Sequence, residues 1–213
     1  MTLPTIDMWQ HEMRARASGH RLIGGLDEVG RGPLAGPVVA ACVILPDGFS
    51  LDGINDSKKL TERQRERADI RIRAEAVAIG LGVVEPETID RINILQATRQ
   101  AMREAFLSLD PPPDCVLIDG LPVPAFPCPY QQAIVGGDGL CASIAAASII
   151  AKVARDRMMR AYDVVYPQYG FAGHKGYGAA KHLEALRVNG PCPIHRRSFA
   201  PVAACYGRLP PGE

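Results

Sequence analysis

One stretch dominates the pattern of apolar and polar positions: Pro37-Val-Val-Ala-Ala-Cys-Val-Ile-Leu45, near-continuously apolar and rich in β-branched residues, ended by Pro46-Asp-Gly48. This predicts a strand buried on both faces. A shorter apolar run, Arg21 to Asp27, predicts a strand before it, with the glycine-rich turn Gly30 to Gly36 between the two and a polar, helical lead-in ahead of both. Thr61 and Gln64 have the spacing of a capping box, so the charged stretch beyond them to about Ala78 reads as a solvent-facing helix. Ile79 to Val84 is the next strand, Pro86 to Asp90 a helical turn, and Asn93 to Leu109 a helix with Leu95, Met102 and Leu109 repeating every seven residues on one face. After Pro111-Pro-Pro113, Cys115 to Asp119 predicts a strand that ends on an acid, and Ala133 to Val135 another. Gly136-Gly-Asp-Gly139 then breaks the chain before a small-residue helix from about Ser143 to Tyr162, able to pack very closely on a sheet through Ile144, Ala147, Ala151, Ala154 and Met158. A glycine-bounded loop, Gly170 to Gly178, a helix from about Ala179 to Val188 and a Pro-rich basic end complete the pattern. Strands alternating with helices, with no internal repeat and no linker, predict a single α/β domain whose function lies at strand ends and the loops after them.

Composition narrows the class. With 213 residues, 47% hydrophobic and 22% charged, the chain is long enough for one full-sized core and is neither disordered nor fibrous. The apolar stretches Ala35 to Leu45 and Cys141 to Ala151 are too short to cross a bilayer, and the N-terminus lacks a basic region followed by an apolar run. A cytoplasmic protein without membrane contact is the expectation, monomeric by default. Six cysteines with no C-x-x-C pair read as reduced, mostly buried thiols.

Net charge is only +1, yet the sign is unevenly spread. Lys152 to Arg208 holds ten Lys/Arg against three Asp/Glu, and Leu81 to Ala151 three against eight. Cations beside carboxylates suit a metal-dependent enzyme acting on a phosphodiester. The candidate carboxylates are Asp27-Glu28, Asp119 and Asp138, all on or near predicted strand ends, where oxygen ligands could converge on a hard divalent cation. Each has a plainer reading: Asp119 and Asp138 precede glycines, as turn residues do, and neighbours such as Asp27 and Glu28 point to opposite faces of a regular strand. Gly30-Arg31-Gly32 lets backbone N–H groups approach a sugar or phosphate, though a tight turn alone would also explain it, and no dinucleotide fingerprint, Walker loop or nucleophile elbow is present. Lys58, Lys152, Arg155, His174, Lys175, His195, Arg196 and Arg197 could contact a nucleic-acid backbone or be solvated surface charges. Tyr177, in its glycine-bounded loop, could present its ring to a base or sugar.

Taken together, these segments closely resemble the ribonuclease HII family. The match runs through Gly25 to Gly36, Asn55-Asp-Ser-Lys-Lys-Leu60, Ile92 to Leu95, Leu117-Ile-Asp-Gly120, Ala145 to Val153 with Arg155-Asp156, Tyr169 to Phe171, His174-Lys-Gly-Tyr177 and His195-Arg-Arg-Ser-Phe199. It covers about residues 20 to 205, leaving 1–19 as a lead-in and 206–213 as a tail. The resemblance implies a ribonuclease H-like fold, with a central mixed β-sheet flanked by helices and a small helical C-terminal part. It implies an endonuclease that cuts the RNA strand of RNA/DNA hybrids and cuts 5′ to a single ribonucleotide embedded in duplex DNA. By the same resemblance Asp27, Glu28, Asp119 and Asp138 hold two ions, Mn²⁺ or Mg²⁺. Gly30, Arg31 and Gly32 read the ribose 2′-hydroxyl, and Tyr177 senses the hybrid; Lys58, Lys152, His174, Lys175, Arg196 and Arg197 are expected at the substrate.

The chain departs from the family pattern in one informative place. Gly136-Gly-Asp-Gly139 stands where Lys-Gly-Asp-Ser is common, so a cation and a hydroxyl beside the last acid are missing. A hybrid-binding protein with impaired catalysis is the alternative this leaves open.

Overall fold

The computed structural model describes residues 7–54 and 56–206. Asn55, the start of the lead-in and residues 207–213 of the tail lie outside the described residues. Five strands, β1 (Ile23–Val29), β2 (Val38–Ile44), β3 (Ala78–Val84), β4 (Cys115–Asp119) and β5 (Gln131–Ile134), form one sheet in the order β3-β2-β1-β4-β5. The β1, β4 and β5 strands run parallel, whereas β2 is antiparallel to both β1 and β3, which makes the sheet mixed.

Period-two alternation sorts the sheet into two faces. On β2, Val38, Ala40, Cys42 and Ile44 join Leu26, Val116 and Ile118 under helix α4 (Ile94–Leu107), while Val39, Ala41 and Val43 face helices α2 (Glu62–Glu75) and α5 (Ala142–Val165). Every residue of β2 is buried, as expected of a strand covered on both sides. The capping box that starts α2 is present, with the Thr61 side chain accepting from Gln64 N–H and the Gln64 side chain accepting from Thr61 N–H.

Two helices lie on the sheet at distances that admit no side chain. A Cβ at Gly82 would stand 2.0 Å from the Ala101 carbonyl oxygen, and one at Gly80 2.0 Å from that of Ala105, so α4 rests directly on β3. A Cβ at Gly25 would stand 2.1 Å from the Ser143 carbonyl carbon, so the first turn of α5 crosses β1 in the same way. This corrects the expected face of α4. Leu95 is 46% exposed and Leu109 lies beyond the helix; the buried stripe is Ala97, Ala101, Met102, Ala105 and Phe106. Leu95 lies in the first turn of α4, away from the contact with the sheet, which is made where Ala101 and Ala105 stand over Gly82 and Gly80.

The remaining helices are α1 (Gln10–Ala17), α3 (Pro86–Ile92), α6 (Phe171–His174), α7 (Ala180–Asn189) and α8 (Ala200–Tyr206). The last of these lies in the Pro-rich basic end; Pro201 sits in its first turn, where no intrahelical N–H bond is needed. The C-terminal part, α6 to α8, packs on the Gly30 to Pro37 loop through Leu34, Ala35, Phe171, Ile194 and Val202. All six cysteines are free, and among the described residues no helix is long and apolar enough to cross a membrane.

Gly82→Ala is expected to destabilise the protein by about 3 kcal/mol, since α4 must lift from the sheet to admit the methyl group. Denaturant unfolding checks this, and a loss no larger than that of a surface Gly→Ala change would disprove the close approach.

Candidate active site

The sheet brings the four acids to one edge. Strands β1 and β4 pair in register up to Leu26 and Ile118, so the next residues on each, Asp27 and Asp119, stand side by side at the C-terminal ends of parallel strands. Asp138 follows β5, the third parallel strand, in the 3-10 turn Gly137–Gly139. Crevices at such strand ends are where open α/β sheets bind ligands. Asp27 shares the α5 face with Gly25, as Asp119 does with Leu117. Alternation aims Glu28 the other way, yet β4 ends beside it and its carboxylate still acts on both Asp27 and Asp119.

Each carboxylate is held by something identifiable. Asp27 is 6% exposed and accepts from the Glu28 N–H at 2.7 Å, with the Ser148 hydroxyl of α5 also easing its ionisation. Behind it Ser57 and Ser148 share a 2.8 Å hydrogen bond, which ties the loop before α2 to α5. Asp119 accepts from Gly137 N–H at 2.7 Å, so the turn that carries Asp138 is pinned to β4. Arg31 donates to Glu28 at 3.2 Å and Lys58 to Asp138 at 3.1 Å. A cation does stand beside Asp138: Lys58, from the Asp56-Ser-Lys-Lys59 loop.

Burial and mutual repulsion leave excess negative charge. Asp27 is held well above the usual carboxylate range by burial first, then by Glu28 and Asp119. Glu28 and Asp119 are raised by burial too, against the opposing pull of Arg31 on one and of the Gly137 N–H on the other. Four carboxylates face two cations, Arg31 and Lys58, and both of these are mostly exposed. Among the described residues no group of three or more His, Cys, Asp or Glu side chains is drawn together closely enough to hold a metal ion. The chemistry of the donors still suits a hard divalent cation: all are oxygens, and Arg31 and Lys58 balance only two of the four charges.

Beside the acids runs the Gly30 to Pro37 loop. Gly30 has φ +92°, and a Cβ there would stand 2.2 Å from Arg155 Nε, so the position requires glycine twice over. A Cβ on Gly32 would lie 3.7 Å from the Tyr177 ring, which places Tyr177, 45% exposed, over Gly30-Arg31-Gly32.

The basic residues divide, and several expectations need correction. Arg196 was expected at the substrate, but it is fully buried, and its guanidinium donates to the carbonyls of Gly30, Arg31 and Gly36. Arg155 is equally buried on the carbonyls of Ala35, Pro37 and Lys175. Both hold the loop rather than a phosphate. Burial lowers their affinity for the proton, to about 9 for Arg196 and about 10 for Arg155. Lys152 is committed to Asp156 at 2.6 Å, and His174 stacks on His182 with both ring nitrogens engaged by backbone. Lys58, Arg31 and Arg197 remain exposed and Lys175 half-buried, so they are the expected cations still open to a ligand. The sequence assigns no role to Ser57, Ser148 or His182, although a hydroxyl in an otherwise apolar run and a histidine five residues after the tyrosine are visible in it.

Residues 24–202 match the family model described as Ribonuclease HII. The Ribonuclease HII of Geobacter sulfurreducens is 57% identical over 205 residues, 96% of this chain and 94% of that protein. Among solved structures, the ribonuclease H2 of Pyrococcus horikoshii OT3 aligns with TM-score 0.73 and 26% identity, covering 88% of this chain and 98% of that one. A ribonuclease HIII in complex with Mn²⁺ aligns with TM-score 0.70 over 97% of this chain and 76% of that one; at 17% identity it shows the shared fold.

The raised acids make a stability prediction for the ion-free protein. Carboxylates that ionise less readily folded than unfolded keep protons in the folded state, so stability falls as pH rises from the ordinary value (3.8 for Asp27) through the raised folded values. Asp27→Asn removes part of that loss. At pH 7 it is expected to raise stability by about 1 kcal/mol, roughly 2–4 °C in Tm. Thermal melts with and without Mg²⁺ or Mn²⁺ check this, the added ion stabilising wild type more than the variant. A lower Tm for ion-free Asp27→Asn would contradict the electrostatic account.

Proposed function

The chain belongs to the ribonuclease HII family, whose members hydrolyse RNA in RNA/DNA hybrids with divalent metals, and on that premise we propose that it also cuts 5′ to single ribonucleotides embedded in duplex DNA, initiating their excision. The observation that carries this reading is the convergence of Asp27, Glu28, Asp119 and Asp138 on one sheet edge beside Gly30-Arg31-Gly32 and the Tyr177 ring. The cavity bounded by Arg14, His20 and Tyr130 and the one between Asp90 and Arg197 include none of the four acids.

In this reading the four carboxylates hold the ions, Mn²⁺ or Mg²⁺, two during catalysis. When bound, the ions supply Lewis-acid chemistry, orienting a water for attack on phosphorus and stabilising the departing oxygen. The P–O3′ bond breaks, the 3′ oxygen takes a proton, and the products are a 3′-hydroxyl and a 5′-phosphate. Gly137 N–H and Lys58 keep Asp119 and Asp138 oriented, and Ser148 does so for Asp27. Backbone N–H groups of Gly30 to Gly32, where Arg196 already takes the Gly30 and Arg31 carbonyls, meet the ribose 2′-hydroxyl, the group that distinguishes RNA from DNA. Tyr177 lies against the sugar or base next to it, and Arg31, Lys58, Lys175 and Arg197 contribute to phosphate affinity.

The test is cleavage of a labelled DNA duplex containing one ribonucleotide, against an all-DNA control, with Mg²⁺, Mn²⁺ or chelator. A metal-dependent cut 5′ to the ribonucleotide with an intact control is expected; binding without any cut would make this a hybrid-binding protein. Asp119→Asn is expected to slow turnover about 10³-fold or more, about 4 kcal/mol of transition-state stabilisation, while duplex binding persists. Near-normal turnover would remove Asp119 from the metal site. Tyr177→Ala is expected to cost about tenfold in kcat/KM at a single ribonucleotide, the scale of one lost stacking contact. An unchanged value would remove Tyr177 from recognition.

A further inference from the structure

Beneath the Tyr177 loop three imidazoles are in contact, His182 and His195 buried and His174 half-buried, and the hydrogen bonds of the buried pair fix where their protons sit. His182 and His195 are 0% and 1% exposed. His182 Nδ1 lies 2.8 Å from the Tyr177 carbonyl oxygen, which can only accept, so this nitrogen carries a proton. With His182 Nε2 therefore bare, neutral His195 must donate to it from its own Nε2, which leaves His195 Nδ1 bare; that nitrogen accepts from Cys192 N–H at 2.9 Å, its contacts with Cys192 Sγ and the Cys192 carbonyl oxygen being longer, at 3.1 and 3.3 Å. The two Nε2 atoms face each other at 3.0 Å, one N–H meeting one lone pair. The resulting chain runs one way: Cys192 N–H to His195, His195 to His182, His182 to the Tyr177 carbonyl. A further proton on either ring would set N–H against N–H.

Both ends of this chain reach the surface assigned to the ribonucleotide. Tyr177 lies over Gly32, and His195 bridges Ala35 and precedes Arg196, whose guanidinium grips the Gly30, Arg31 and Gly36 carbonyls. His174, stacked on His182 at 4.3 Å with an interplanar angle of 10°, and Tyr169, edge-on to His195 at 4.9 Å, prevent either ring from turning. The two loops are tied directly by Leu34 N–H on the Gly176 carbonyl at 2.8 Å and through Arg155, and the imidazole–imidazole bond adds a further tie behind Tyr177 itself.

We infer that His182 and His195 are positioning residues for ribonucleotide recognition: their hydrogen bond fixes the backbone of Tyr177 against the Gly30-Arg31-Gly32 loop. The inference rests on the reading of that loop and Tyr177 as the ribonucleotide contact. Loosening the bond misplaces a group that binds substrate and transition state alike, so the effect falls on KM rather than kcat.

Nitrogen-15 NMR of histidine-labelled wild-type protein at neutral pH tests the chain directly. His182 protonated on Nδ1 and His195 on Nε2 is the expected result; the opposite tautomer at either ring overturns the inference whether or not any variant folds. Kinetics on the single-ribonucleotide duplex test its consequence. His182→Leu is expected to raise KM about tenfold with kcat changed less than about threefold. His195→Gln, whose amide N–H stands where Nε2–H stood and still donates to His182, is expected to keep KM within about threefold of wild type, whereas His195→Leu raises it as His182→Leu does. Equal impairment of the folded His195→Gln and His195→Leu variants, or a fall in kcat at unchanged KM, overturns it. Tyr177→Ala measured alongside separates the two ideas. If it is impaired and His182→Leu is not, only the positioning role fails; if Tyr177→Ala is unaffected, the recognition reading fails with it.

Discussion

The constraint on which this structure depends is the burial of two guanidinium groups with no carboxylate to pair them. Arg155 and Arg196 are both 0% exposed, and six backbone carbonyls between Gly30 and Lys175 satisfy their donors. A buried charge left without such acceptors is strongly destabilising, so the loop that supplies them has one permitted path. That path puts Gly30 at φ +92° against Arg155 Nε and brings the C-terminal helices down on Leu34 and Ala35. The loop beside the acids is therefore held from behind by residues that a ligand never reaches.

On the other side of that loop the electrostatics are reversed. Four carboxylates gather where β1, β4 and β5 end, and their main neutralising partners, Arg31 and Lys58, are exposed. Burial and mutual repulsion raise Asp27, Glu28 and Asp119 together, which makes the edge costly when empty and receptive to a divalent cation. The parallel pairing of β1 with β4 and of β4 with β5 is what allows this, because it aligns the C-terminal ends of three strands. The close seating of α5 on Gly25 then carries Ser148 to Asp27.

Much of this was legible in the chain. The apolar runs marked all five strands to within a few residues, the capping box marked the start of α2, and acids at the ends of Arg21 to Asp27 and Cys115 to Asp119 marked the edge. Local signals suffice where the local pattern is the cause. They failed where packing decides. Leu95 and Met102 look equivalent along the chain, but α4 is seated by Ala101 and Ala105 on the glycines of β3, which turns Leu95 to solvent. Arg196 and Arg197 are neighbours of identical chemistry, yet one is entirely enclosed and the other exposed.

The sequence by itself determined the element types, the α/β class, the family and which acids are candidates, since hydrophobic period, turn residues and motif order are properties of short segments. Only the tertiary structure decided that Asp119 acts on Glu28 across the end of β4, that Lys58 supplies the cation at Asp138, that Arg155 and Arg196 are spent on the carbonyls of the Gly30 to Pro37 loop, and that His182 and His195 meet in the interior. The reason is burial: whether a charged side chain faces water or carbonyls depends on contacts between segments as far as 166 residues apart, which no local pattern records.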